Sequence, residues 1–189
     1  MRTGILGGTF DPIHLGHLAA AHAAIDCASL DRVLVIPTGV PPHRPPTVAG
    51  AGDRLEMSRL ATAGDPRLEV SDIELRREGA SYTIDTLREL QRLRPDDELF
   101  LILGWDAARL LDTWHEPDEV RRLARVIVVT RPGSGSPVTT SEILCERPTP
   151  DISGSALRRA LERGDAVAKF LPDPVAEYIA NHGLYRDNR

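Results

Sequence analysis

Four short stretches of this chain are dominated by apolar side chains: residues 4–6, 32–37, 99–104 and 126–129. A half-exposed strand alternates apolar and polar positions. An unbroken apolar run of this length suits a strand buried on both faces, the condition of a parallel sheet. Segments of helical character lie between the runs. Residues 18–28 are rich in alanine, and residues 83–93 place Ile84, Leu87, Leu90 and Leu93 at helical spacing. Strand, helix and strand within the first 37 residues make a βαβ unit, and continued alternation predicts a doubly wound α/β fold with a parallel sheet. Further elements complete the pattern: a helix over 54–63 capped by Asp53, an extended segment over 68–75, a short helix at 120–123 and a last strand at 142–145. A helix over 153–162 is capped by Ser153 and ended by Gly164, and a final helix over 174–182 is closed by Gly183. Two turn-rich loops interrupt the alternation. Residues 38–52 hold Pro41-Pro42-His43-Arg44-Pro45-Pro46, and residues 131–137 form the other. A loop as long as 38–52 in a compact domain is commonly functional. At 189 residues the chain is expected to form one domain, with residues 153–189 as a small helical part.

The strand at 4–6 runs directly into Gly7-Gly8-Thr9-Phe10-Asp11-Pro12-Ile13-His14-Leu15-Gly16-His17. Gly7 and Gly8 lack a Cβ, so an anion can approach their amides closely. Asp11 before Pro12 reads as a helix N-cap with proline in the first helical position. A helix opening there aims free N–H groups and a partial positive charge outward. His14 and His17, three apart, fall on one face of it. In doubly wound sheets ligands bind beyond the carboxyl ends of the strands, which is where this stretch sits. Neither Gly-x-Gly-x-x-Gly nor the Walker pattern occurs, which excludes a standard dehydrogenase or P-loop NTPase. The expected ligand is an anion carrying a transferable phosphate.

Composition narrows the partners. A net charge of −5 and a pI of about 5.7 argue against a general nucleic-acid surface. Lys169 is the only lysine, so a phosphate clamp must draw on arginine, histidine and backbone amides. No apolar run reaches the ~20 residues that span a bilayer, and the start of the chain carries no leader-like segment, so a cytoplasmic protein is expected. The two cysteines, Cys27 and Cys145, lack metal-ligand spacing, and a pair of buried thiols is expected rather than a bridge.

With these residues in view, the chain resembles a known family. Gly7 to Pro12 followed by His14-x-Gly16-His17 is similar to the signature of the HxGH nucleotidyltransferases, which have Rossmann-like sheets. A second signature, usually Ile-Ser-Ser-Thr-x-x-Arg, stands here as Ile152-Ser153-Gly154-Ser155-Ala156-Leu157-Arg158. It departs at Gly154, while Ser155 keeps a hydroxyl. Within that superfamily the chain looks most like the bacterial nicotinate-nucleotide adenylyltransferases. The supporting segments are Ile36-Pro37, Pro41 to Arg44, Ser81-Tyr82-Thr83, Asp85-Thr86-Leu87, Gly104-Trp105-Asp106, Thr113-Trp114-His115 and the ending Gly183-Leu184-Tyr185.

The resemblance implies transfer of an adenylyl group from ATP to nicotinate mononucleotide, releasing pyrophosphate without a covalent intermediate. His14, His17 and Arg158 would act on the phosphates. Gly7, Gly8, Thr9, Phe10, Gly16, His43, Arg44, Ile152, Ser153 and Ser155 would surround ATP. Thr83, Gly104, Asp106, Trp114 and His115 would hold the acceptor, with Trp114 stacking on its ring and amides near Trp114 and His115 meeting its carboxylate. Mg²⁺ is expected with ATP as its magnesium complex, and no acidic cluster reads as a dedicated cage. Nicotinamide mononucleotide, another phosphorylated acceptor, or a silent nucleotide-binding regulator remain open, as does a homo-oligomer.

Overall fold

A computed structural model describes residues 1–42, 45–130, 142–148, 150 and 152–186. The expected loop 131–137, together with His43 and Arg44, lies outside the described residues. The strands are β1 (Arg2–Gly8), β2 (Arg32–Pro37), β3 (Leu68–Val70), β4 (Glu98–Gly104), β5 (Arg125–Thr130) and β6 (Ile143–Glu146). The helices are α1 (Leu15–Ala28), α2 (Ala51–Thr62), α3 (Thr83–Leu93), α4 (Trp105–Ala108), α5 (Pro117–Leu123), α6 (Gly154–Glu162) and α7 (Asp173–His182). The strands form one sheet in the order β3-β2-β1-β4-β5-β6, every pair parallel.

The apolar runs behave as a two-sided sheet demands. Val33, Val35, Phe100, Ile102, Ile127 and Val129 pack with residues of α1, α2, α6 and α7. Their sequence neighbours Leu34, Ile36, Leu99, Leu101, Leu103, Val126 and Val128 pack on the other face with α3 and α5. Alternate side chains enter opposite cores, so the interior positions of these strands are closed to water on both faces.

Several local expectations are corrected. α1 begins at Leu15 with His14 as its N-cap residue; Asp11 and its cis-bonded Pro12 lie in the preceding turn, so Asp11 does not cap the helix. α2 begins at Ala51 after Gly50, so Asp53 falls in its first turn and accepts instead from the Tyr178 hydroxyl, 3.0 Å away. Only Leu68–Val70 of the 68–75 segment is strand, at the sheet edge where one partner fixes it. Leu93, the last residue of α3, is exposed and not part of the core face made by Ile84, Leu87 and Leu90.

Cys27 and Cys145 form a disulfide between α1 and β6 rather than remaining thiols. They lie 118 residues apart, and only the packing of α1 across the sheet brings them together. Among the described residues no helix is long and apolar enough to cross a membrane.

Candidate active site

The sheet order reverses between β1 and β4, and a cleft of about 900 Å³ opens beyond their carboxyl ends. Gly7 and Gly8 at the end of β1 and Gly104 at the end of β4 line it. A Cβ at Gly7 or Gly104 would meet nothing within 4 Å and would simply occupy cleft space. Gly8 has a stricter reason to be glycine, since a Cβ there would lie 2.9 Å from the ring of Phe10. Phe10 is buried and adopts the left-handed region at φ 47°, a conformation L residues rarely hold. Its ring meets the His17 ring edge-on at 5.0 Å between centroids.

His14 and His17 share one face at the start of α1, and their rings stack at 3.7 Å. The His14 backbone N–H donates to His17 Nδ1 at 3.2 Å. That contact assigns the proton of a neutral His17 ring to Nε2, leaving an N–H donor on its far side. His14 is buried, and its Nδ1 has no hydrogen-bond partner. Burial pulls its pKa down to about 4, a backbone hydrogen bond only partly opposing the shift. It is therefore a neutral imidazole at pH 7.

The second signature faces the first across more than a hundred residues of sequence. A Cβ on Gly16 would sit 3.6 Å from the Pro150 carbonyl, and one on Gly154 3.8 Å from the Asp11 carbonyl. Ser153 caps α6 by accepting from the Ala156 N–H, and its hydroxyl lies 2.8 Å from that of Ser155. Thr9, His14, Gly16, His17, Ile152, Ser153 and Gly154 all reach the cleft wall. Phe10, Ser155 and Arg158 stand outside the lining. Arg158 donates from Nη1 to the Asp11 carbonyl at 2.7 Å, behind the wall.

The opposite wall contains Thr83, Gly104, Asp106, Trp114 and His115. Thr83 opens α3, Asp106 lies in the first turn of α4, and Trp114 follows a 3-10 turn at Leu111–Thr113. The Trp114 backbone N–H donates to the Leu111 carbonyl at 3.0 Å, so that amide is already committed. His115 is tilted against the Tyr82 ring at 4.7 Å.

The wall extends past the expected site residues: Thr38 and Glu74 line it with no sequence expectation behind them. Ser81, Tyr82, Thr86 and Trp105, quoted above only as parts of resembling segments, line it too. Glu74 is a buried carboxyl whose Oε1 accepts from the Thr86 hydroxyl at 2.8 Å, while Oε2 has no partner. Burial pushes its pKa up against the opposing effects of Thr86, Arg77, Ser81 and Gly39. The Ser81 hydroxyl accepts from the Gly39 and Val40 amides, each at 3.2 Å, and joins this wall to the loop after β2. The one sequence signal for Glu74 is a carboxylate flanked by Ile73 and Leu75. Among the described residues no group of three or more His, Cys, Asp or Glu is arranged to hold a metal.

A model of the cytidylyltransferase-like family matches residues 5–160. A probable nicotinate-nucleotide adenylyltransferase from Thermus thermophilus is 48% identical, covering 98% of this chain and 100% of its own length. One from Dehalococcoides mccartyi is 42% identical, covering 98% of this chain and 97% of its own. In fold, the chain is similar to a Plasmodium falciparum nicotinic acid mononucleotide adenylyltransferase solved with NaAD, at a TM-score of 0.83, 18% identity and 97% coverage of both chains. Matching over nearly its whole length, the chain belongs to the cytidylyltransferase-like family and, within it, to the nicotinate-nucleotide adenylyltransferases.

Proposed function

We propose that this chain joins ATP and nicotinate mononucleotide to give nicotinate adenine dinucleotide and pyrophosphate, a step of NAD biosynthesis. The observation that carries the reading is the meeting of the two signatures, His14 to His17 and Ile152 to Gly154, along one side of the cleft at the sheet's switch point. A phosphate oxygen of the acceptor attacks the α-phosphorus of ATP, the α–β bond breaks in line, and the electron pair leaves on pyrophosphate. The acceptor phosphate is ionised at neutral pH, so no base is needed. The difficulty is aligning two anions and stabilising the charge that collects on the leaving group.

In this reading Gly7, Gly8, Thr9 and Gly16 let the phosphates approach the start of α1. His17 donates from Nε2, and His14 donates as a neutral imidazole. Ser153 and Ser155 present hydroxyls at the start of α6, and Arg158 supplies positive charge from behind it. His43 and Arg44 follow the wall residues Pro41 and Pro42 and add charge from that loop. Thr83, Gly104, Asp106, Trp114 and His115 receive the acceptor, with Trp114 offering its ring face. Mg²⁺ enters as part of the ATP complex, held by phosphate oxygens and water. We place the reaction in the cytoplasm.

The test is pyrophosphate release by the purified protein with Mg-ATP and each acceptor in turn. Turnover with nicotinate mononucleotide is expected. Turnover only with nicotinamide mononucleotide or another phosphorylated acceptor overturns the substrate. Intact ATP binding without turnover on any acceptor replaces the enzyme with a nucleotide-binding regulator.

A further inference from the structure

The Asp11 carboxylate, 5% exposed, is satisfied from two distant stretches of chain. Oδ2 accepts from the Val48 N–H at 2.8 Å, and Oδ1 accepts from the Ala49 N–H at 3.0 Å and the Tyr185 hydroxyl at 2.8 Å. Its backbone carbonyl accepts from Arg158 Nη1 at 2.7 Å, and that same nitrogen stands 3.7 Å from Oδ2. A buried carboxylate is stable only when donors surround it, and here two amides, one hydroxyl and a nearby guanidinium do so. The Tyr185 hydroxyl is held protonated, far above its usual range, by burial and by the Asp11 charge, so it acts as a donor throughout the working pH range. Two residues upstream, buried Arg54 of α2 donates from Nη1 to the Thr9 carbonyl at 2.8 Å and the Thr38 carbonyl at 2.7 Å. The turn between β1 and α1 is thus gripped at residues 9 and 11 by guanidiniums from α2 and α6. The residues it delivers next are His14 and His17.

We infer that Asp11 is a positioning residue for the phosphate-facing half of the site, fixing Arg158 and the loop ending at Ala49 relative to His14 and His17. The inference rests on the adenylyl-transfer reading. Asp11 is not on the cleft wall, its carboxylate oxygens are already engaged, and it caps no helix. Its effect is transmitted through the groups it holds. Arg158 bonds the first signature at the Asp11 backbone carbonyl, and the anchored carboxylate holds that carbonyl in place, so misplacing this turn separates the two signatures.

Asp11→Asn preserves shape but sets an NH₂ group against donors, and Tyr185→Phe removes one donor alone. The experiment is steady-state kinetics with each substrate varied, together with calorimetric ATP binding. For folded Asp11→Asn the expected result is a kcat at least tenfold lower and ATP affinity five- to tenfold weaker, with the acceptor KM unchanged within twofold. Tyr185→Phe moves the same two constants two- to threefold. Equal weakening toward both substrates, or unchanged kcat and ATP affinity, overturns the inference. If Asp11→Asn does not fold, Tyr185→Phe decides on the same criteria. If wild-type protein binds ATP but turns over no acceptor, the reaction assignment fails by itself. The ATP-affinity comparison still tests Asp11 in that case.

Discussion

At the start of α1 two chemically identical rings stack in different surroundings, and their behaviour diverges accordingly. His14 is buried with a pKa of about 4, whereas an unfolded chain protonates its histidines near 6.5. Between those values the unfolded state binds the extra proton. Stability is therefore fully retained above pH 6.5 and falls as pH drops through the window toward 4. Denaturant unfolding at a series of pH values measures this, and His14→Gln should flatten that part of the fall. His17 is half-buried, with its ring against Phe10 and His14, so His17→Ala should leave the fold intact. Turnover should drop by ~10² if it donates to the leaving phosphates, and kcat measured beside a thermal melt checks both halves. The i, i+3 spacing makes the pair legible in the sequence alone. Asp11 misleads there, because Asp-Pro ahead of a helical stretch looks like a cap, and nothing local reveals that Val48, Ala49 and Tyr185 meet its carboxylate.

The elements divide by how much of their stabilisation is local. β2, β4 and β5 are legible within about a residue, since a strand buried on both faces must be apolar throughout. The start of α6 is legible from Ser153, whose side chain caps it. The pattern overextends β3: alternation continues past Val70, but the strand has a single partner and its neighbour β2 is only six residues long. The Cys27–Cys145 bridge has no local signal at all. It joins the far end of α1 to β6 across 118 residues, and in the chain-entropy view closing a loop of that size is worth about 5 kcal/mol. Adding a thiol reductant should lower the melting temperature by roughly 10 °C. Cys27 lies ten residues beyond His17 on α1, about 15 Å along the axis, so turnover at 25 °C should stay within twofold. Paired melts and assays with and without dithiothreitol measure this, alongside a thiol titration that should find none in the oxidised protein.

Across the whole molecule, the sheet's reversal between β1 and β4 turns two glycine-ended strands into the floor of one cleft, and helices from both ends of the sequence wall it. The fold class and the two signatures are readable because each is a local pattern. The role of Glu74 is not, since it comes from a bond to Thr86 of α3, and that of Ser81 comes from bonds to the loop after β2. The same convergence gives the molecule an optical property. Trp105 and Trp114 are the chain's two tryptophans, and both stand on the wall of this cleft. All of its indole fluorescence therefore originates beside the site, and an aromatic ring entering there must alter that emission without any label attached.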